Sequence, residues 1–253
     1  MSTVMLPRLG LGTVALGRSA GLKYARPVRV PTDDEAEALL RAALEEGVTY
    51  VDTAPAYGAA EQRLGRLLPR VAPRERWLIG TKAGETFDEG TGTSAYDFSP
   101  GAIGASVDAS LRRLKVERVD VLLLHFSSAC DDAGVLRAGE AAGALQEARR
   151  AGKARWIGAS IGTMEGAEAA LAAGWMDVVM VTLNPAERQM APVAARAAAQ
   201  GVAVLVKKPL ASGRAEPREA VRQALATPGV SCVVAGTTRV EHLRALAAAA
   251  RDA

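Results

Sequence analysis

Cysteine is scarce in this chain. Cys130 and Cys232 stand far apart and share no CxxC spacing. That argues against a disulfide framework and a zinc site, and suits a reducing cytoplasm. Long hydrophobic runs are also missing. No segment approaches the roughly 18 apolar residues of a membrane span. The N-terminus lacks the pattern of a secretory signal. A cytoplasmic, membrane-free protein is therefore expected. Charge of one sign is lacking too: 31 basic against 28 acidic residues leave a formal +3. The basic residues are scattered and form no tract, which speaks against a nucleic-acid partner. Aromatics are only 4% of the chain, so where they fall carries information.

The 253 residues are 49% apolar, enough for one large α/β domain or two small ones. The sequence alternates between short β-rich runs and Ala/Leu/Arg/Glu segments with helical spacing. The strand-like runs are "LGLGTV", "VTYVDTA", "WLIGTK", "VDVLLLH", "ARWIGAS", "DVVMVTL", "VAVLVKK" and "VSCVVAG". A helical segment follows each; "WLIGTK" is separated from its helix by a long loop, and Ser99 and Pro100 there have the character of an N-cap and first helical residue. Gly47, Gly152, Gly174 and Gly201 stand where helices should stop before the next strand. Runs such as "DVLLL" are apolar throughout, as parallel strands covered on both faces should be. Eight βα units predict a (β/α)8 barrel, one domain over residues 1–253, in preference to a doubly wound sheet.

In such barrels chemistry sits at the C-terminal ends of the strands. The residues there are Asp52 and Tyr57 after the second strand, Lys82 after the third and His125 after the fourth. Ser160 ends the fifth, Lys207 and Lys208 end the seventh, and "GTTR" ends the eighth. Tyr24, Phe87, Tyr96, Phe98 and Phe126 fall in loops on the same side, with Tyr24, Phe87, Tyr96 and Phe126 expected to wall an apolar substrate pocket. A phenol, with a pKa of about 10, donates poorly at neutral pH. A neighbouring ammonium lowers that pKa, a carboxylate orients the ammonium, and an imidazole holds a substrate oxygen. Asp52, Tyr57, Lys82 and His125 thus form a set suited to protonating a carbonyl oxygen.

The segments "VDTAPAYGAAEQRLG", "GTK" and "LLLH" resemble the aldo-keto reductase superfamily, and the likeness runs from "LGLGT" to the last helix. The resemblance implies a barrel enzyme that reduces a small-molecule aldehyde or ketone with NADPH, or less often NADH. It implies Tyr57 as the acid, Lys82 as the residue that lowers its pKa, Asp52 as the support of Lys82 and His125 as the group orienting the carbonyl. It further implies cofactor contacts at Gly12, Thr13, Asp52, Ser160, Met180, Lys207, Lys208, Leu210, Ser212, Gly236, Thr237, Thr238, Arg239 and His242. Several positions depart from the family pattern. Ile161 replaces a common Asn and Met180 a common Gln, with Asn184 nearby. Lys207 stands where many members stack an aromatic ring. Gly236 replaces a lysine and His242 an arginine, and Ala245 and Leu246 replace a Glu-Asn pair. NADPH remains the expected cofactor because Arg239 supplies charge.

The loop after His125 is short, which implies an open pocket, and Asp131 and Asp132 within it are expected to be solvated. No metal is expected, and the chain is expected to be a monomer. Two other readings stay open. Lysines at strand ends also serve Schiff-base aldolases. A barrel that binds a nucleotide without turnover would serve as a sensor.

Overall fold

The computed structural model describes residues 4–22, 24–25, 27–127 and 130–253. The strands are β1 (Leu9–Gly12), β2 (Tyr50–Asp52), β3 (Leu78–Ala83), β4 (Glu85–Asp88), β5 (Thr93–Tyr96), β6 (Val119–His125), β7 (Ala154–Ser160), β8 (Val178–Thr182), β9 (Ala203–Lys207) and β10 (Val230–Gly236). Eight of them close a barrel in the order β1-β10-β9-β8-β7-β6-β3-β2. All of its pairings are parallel. The remaining two, β4 and β5, pair antiparallel as a separate hairpin.

The helices are α1 (Val14–Gly17), α2 (Asp33–Glu45), α3 (Ala60–Val71), α4 (Pro100–Leu114), α5 (Asp132–Ala138), α6 (Glu140–Arg150), α7 (Met164–Ala173), α8 (Ala191–Ala199), α9 (Pro217–Leu225) and α10 (Val240–Arg251). Local chemistry sets their ends. Thr32 and Glu35 exchange the two bonds of a capping box at the start of α2. Ser99 caps α4, accepting from the Ala102 amide at 3.4 Å. The four helix-stop glycines, Gly47, Gly152, Gly174 and Gly201, all adopt positive φ, between 67° and 77°, a region that costs a side chain but not glycine. Among the described residues no helix is long and apolar enough to cross a membrane.

The apolar residues sort into two layers. Tyr50, Val121, Leu123, Trp156, Val178, Met180, Leu205, Cys232 and Val234 fill the barrel interior. A larger layer, including Leu122, Leu124, Ile157 and Val179, packs outward against the helices. Alternation along a strand produces this split, because neighbouring side chains point to opposite faces. The interior holds the Tyr50 ring only because Gly80 faces it: a β-carbon there would collide with the phenol. Two elements exceed the expectation of plain loops. One is the β4–β5 hairpin in the long segment after β3. The other is α5, capped by Asp131, whose side chain accepts from the Gly134 amide at 2.8 Å.

Candidate active site

Asp52 ends β2 at the C-terminal mouth of the barrel. Its carbonyl accepts from Thr13, from the amide at 3.0 Å and the hydroxyl at 2.9 Å. The chain then folds into a 3₁₀ turn, Pro55–Tyr57. Gly58 leaves the turn with φ 59°. The turn lies flat against α1 because position 17 is glycine. A β-carbon at Gly17 would strike the Tyr57 carbonyl oxygen and the Ala60 amide.

Lys82, in β3, is 1% exposed. Its Nζ donates to Asp52 Oδ2 at 2.7 Å and to the Thr53 carbonyl at 2.9 Å. The same ammonium lies 4.8 Å from the centre of the Tyr57 ring and reaches its hydroxyl. Tyr57 meets His125 edge to face, with ring centres 5.9 Å apart. The four side chains expected to act together are therefore in one cluster, drawn from β2, its turn, β3 and β6.

The electrostatics differ from the simple expectation. Burial pushes the Tyr57 phenol up; Lys82 opposes this and Asp52 adds to it, so the net shift is upward. Lys82 lowers the phenol's pKa as anticipated, but desolvation outweighs it. For Lys82 itself burial favours the neutral amine, yet Asp52 and Tyr57 together leave it raised. A locked, charged lysine is not the free amine that a Schiff base through Lys82 requires.

Glu85, the first residue of the hairpin, was invisible to the sequence reading. Its Oε2 lies 2.8 Å from His125 Nδ1, though out of line with a ring N–H. Its Oε1 accepts from the Tyr96 hydroxyl at 3.1 Å, and the register pairs Glu85 directly with Tyr96. A lone pair on Nδ1 would repel the carboxylate at that distance, so Nδ1 carries the proton. Burial opposes the Glu85 charge, but His125 leads the hydrogen bonds that hold its carboxyl down at about 2. Burial lowers the His125 pKa; Glu85 raises it, while Lys82 and Lys207 lower it further. In Glu85→Gln, His125 should titrate lower still. The chain has two histidines, so NMR titration of the ring carbons resolves this against His242. An unmoved His125 would show that Glu85 does not control it.

The opposite side of the mouth gathers the other expected residues. Lys207 is partly buried, and its Nζ donates to Ser160 Oγ at 2.9 Å. Burial, then the charges of Lys208 and Lys82, bring its pKa down to about 7. Ser160 pairs in register with Met180, whose side chain lies inside the barrel. Asn184 does not replace the missing contacts. Its side chain is used within its own loop, accepting from the Ala186 and Glu187 amides at 3.0 and 2.9 Å. Lys208, Ala211, Ser212 and Gly213 adopt positive φ in the loop after β9. After β10, Thr238 and Arg239 line a cleft of about 410 Å³ with Pro27, Arg29 and Glu35. Arg29 was not anticipated and is held at 2.6 Å by Glu35. Gly236 ends β10, Thr237 follows it, and His242 is exposed on the first turn of α10.

Two expectations need correction. Phe126 belongs to the outer layer and is 2% exposed, packed 4.6 Å from the Phe98 ring. Strand alternation turns His125 to the mouth and Phe126 away from it. The Tyr24 hydroxyl stands beside the end of β10, where a β-carbon on Gly236 would come within 3.4 Å of it. Asp132 is not solvated but 1% exposed. It accepts from the Gly162 and Thr163 amides at 2.9 Å each and from the Thr163 hydroxyl at 2.6 Å, tying the loop after β6 to the loop after β7.

Comparison with known proteins follows the same lines. The family model described as Aldo/keto reductase family matches residues 8–223. A D-threo-aldose 1-dehydrogenase of a Pseudomonas species is 32% identical over 235 residues, 83% of this chain and 70% of that protein. An L-galactose dehydrogenase of Arabidopsis thaliana is 34% identical over 156 residues, 59% of this chain but only 43% of its own length. A crystal structure from Pseudomonas aeruginosa, assigned to the aldo-keto reductases, is 37% identical with a TM-score of 0.86. That match covers 98% of this chain and 90% of the other.

Proposed function

The chain belongs to the aldo/keto reductase family, and from that membership we propose that it reduces small aldehydes and ketones with NADPH, Tyr57 giving the proton. As a family member it is a nicotinamide-dependent oxidoreductase of small-molecule carbonyl compounds. The observation that carries the finer reading is the buried contact of Tyr57 with Lys82, itself paired to Asp52.

Tyr57 stays protonated at neutral pH because its pKa is raised, so the donor form is ready. Negative charge that grows on the carbonyl oxygen is met by the phenol hydrogen, and Lys82 stabilises the phenolate left behind. Asp52 keeps Lys82 charged and aimed. His125, with Glu85 beside its Nδ1, stands next to Tyr57 at the place of the substrate oxygen. When bound, the reduced nicotinamide supplies hydride at its C4 to the carbonyl carbon.

Residues around the far side of the mouth suit such a dinucleotide. The loop after β9 is folded tightly by its positive-φ residues, with the Ala211 and Gly213 amides bonded to the Lys208 and Leu210 carbonyls. Leu210 and Ser212 there, with Lys207 and Lys208, would hold the pyrophosphate, and Ser160 and Thr13 the carboxamide side. Thr237, Thr238 and Arg239 open α10, where free amides favour a 2′-phosphate.

Fluorescence titration tests this. NADPH should bind about tenfold more tightly than NADH, the factor of one 1.4 kcal/mol contact. Arg239→Ala should erase most of that difference. Affinity should fall about threefold to fivefold from pH 6 to pH 8, as Lys207 loses its charge near 7; a weakly screened pair worth about 1 kcal/mol sets the scale. In Lys207→Met the slope should flatten. Cofactor binding without oxidation across an aldehyde and ketone panel would favour the sensor reading instead. We also place the chain in the cytoplasm as a monomer, and light scattering reads its mass.

A further inference from the structure

Arg18 follows α1 directly and leans over the catalytic turn. A β-carbon on Gly58, next to Tyr57, would meet the Arg18 side chain at 3.0 Å. The guanidinium carbon lies over the Phe87 ring, 3.6 Å from its centre. Its Nε and Nη1 are buried and donate to no acceptor among the described residues. A buried cationic donor without an acceptor is costly and asks for a partner.

The neighbouring acceptors do not supply one. Tyr57, Glu85, Glu89 and Tyr96 are the titratable groups that face Arg18. Glu85 is turned to His125 and Tyr96, one oxygen on each. Glu89 is exposed in the hairpin turn, with one carboxylate oxygen against Gly58, but it makes no ion pair with the guanidinium. No carboxylate of the described residues comes within ion-pair distance of Arg18, whereas Arg63, close by on α3, is paired to Asp33 at 2.8 Å. What remains is a planar, stacked fork of N–H donors beside the proposed proton donor, on the hairpin side of Tyr57. Guanidinium forks of this kind match two oxygens of a carboxylate or phosphate. The Phe87 stack keeps the plane in place.

We propose that Arg18 binds an oxyanion of the substrate, so that the preferred substrates are carbonyl compounds bearing a carboxylate or a phosphate. This rests on the reductase reading of the same site. It adds a substrate class to that reading, and an end-to-end orientation: the anion lies on Arg18 and the carbonyl oxygen lies between Tyr57 and His125.

Matched pairs test it. Succinic semialdehyde against butanal reports a carboxylate, and glycolaldehyde phosphate against glycolaldehyde reports a phosphate. The wild-type enzyme should favour at least one charged member by tenfold or more in kcat/KM, mainly through KM. In Arg18→Met the loss on that charged member should exceed the loss on its neutral partner by at least tenfold. Arg18→Lys should recover part of the difference. Calorimetry with succinate and with inorganic phosphate supplies a readout without turnover, in which binding should weaken tenfold or more in Arg18→Met. Equal losses on charged and neutral members, or no Arg18-dependent anion binding, would overturn the proposal. Arg18-dependent anion binding without oxidation of cofactor by any aldehyde would sink the reductase reading and leave the anion site standing.

Discussion

Tyr57→Phe should lower kcat for carbonyl reduction by about a thousandfold, within the range that a positioned acid contributes. Dinucleotide affinity should stay within a few fold. The substitution removes one hydroxyl and little else. The ring, its edge contact with His125 and the ammonium 4.8 Å from its centre all persist. Lys82 keeps its bonds to Asp52 and the Thr53 carbonyl, so the fold should survive. The sign of the pH dependence follows from the upward shift of the phenol. Its acid form prevails through neutral pH, so reduction should not fall there on account of Tyr57. Oxidation of the alcohol needs phenolate and should rise as pH climbs toward the shifted value. Steady-state rates in both directions, with a fluorescence titration of cofactor, check each point. Unchanged turnover in Tyr57→Phe would remove it as the donor.

Lys82→Met should cost both activity and stability. Both partners of the pair are buried, with side-chain exposures of 1% and 4%. Removing the ammonium leaves the Asp52 carboxylate with only the Tyr50 hydroxyl, at 3.3 Å, among the described residues. Breaking a buried pair from one side typically costs about 3–5 kcal/mol, which for a chain of this size lowers Tm by about 10 °C. The phenol loses the one group that lowers its pKa, so kcat should fall a hundredfold or more. The double variant Asp52→Asn with Lys82→Met separates the two effects. No charge is then stranded, so Tm should recover most of the loss while activity stays absent. A single variant as stable as the wild type would mean that the pair is solvated and weak.

Part of this protein was readable from one line of letters. The eight barrel strands and their helices follow from short-range periodicity. The stop glycines follow from a backbone angle that only glycine adopts at no cost. Tyr57 and Asp52 share one turn, and Lys82 and His125 end the next two barrel strands, so a count of strands placed all four at the same mouth. Closure of the barrel decided the rest. Glu85 reaches His125 only because a hairpin folds back over the opening, and that hairpin has no local signature beyond a glycine-rich turn. Asp131 and Asp132 are neighbours in sequence, yet one is exposed and the other buried under three donors. Arg18 and Phe87 stack across elements that no spacing rule connects. The direction of the Tyr57 shift was undetermined for the same reason. Periodicity is a property of a few consecutive residues, whereas desolvation and the meeting of distant charges depend on what the whole chain excludes from water.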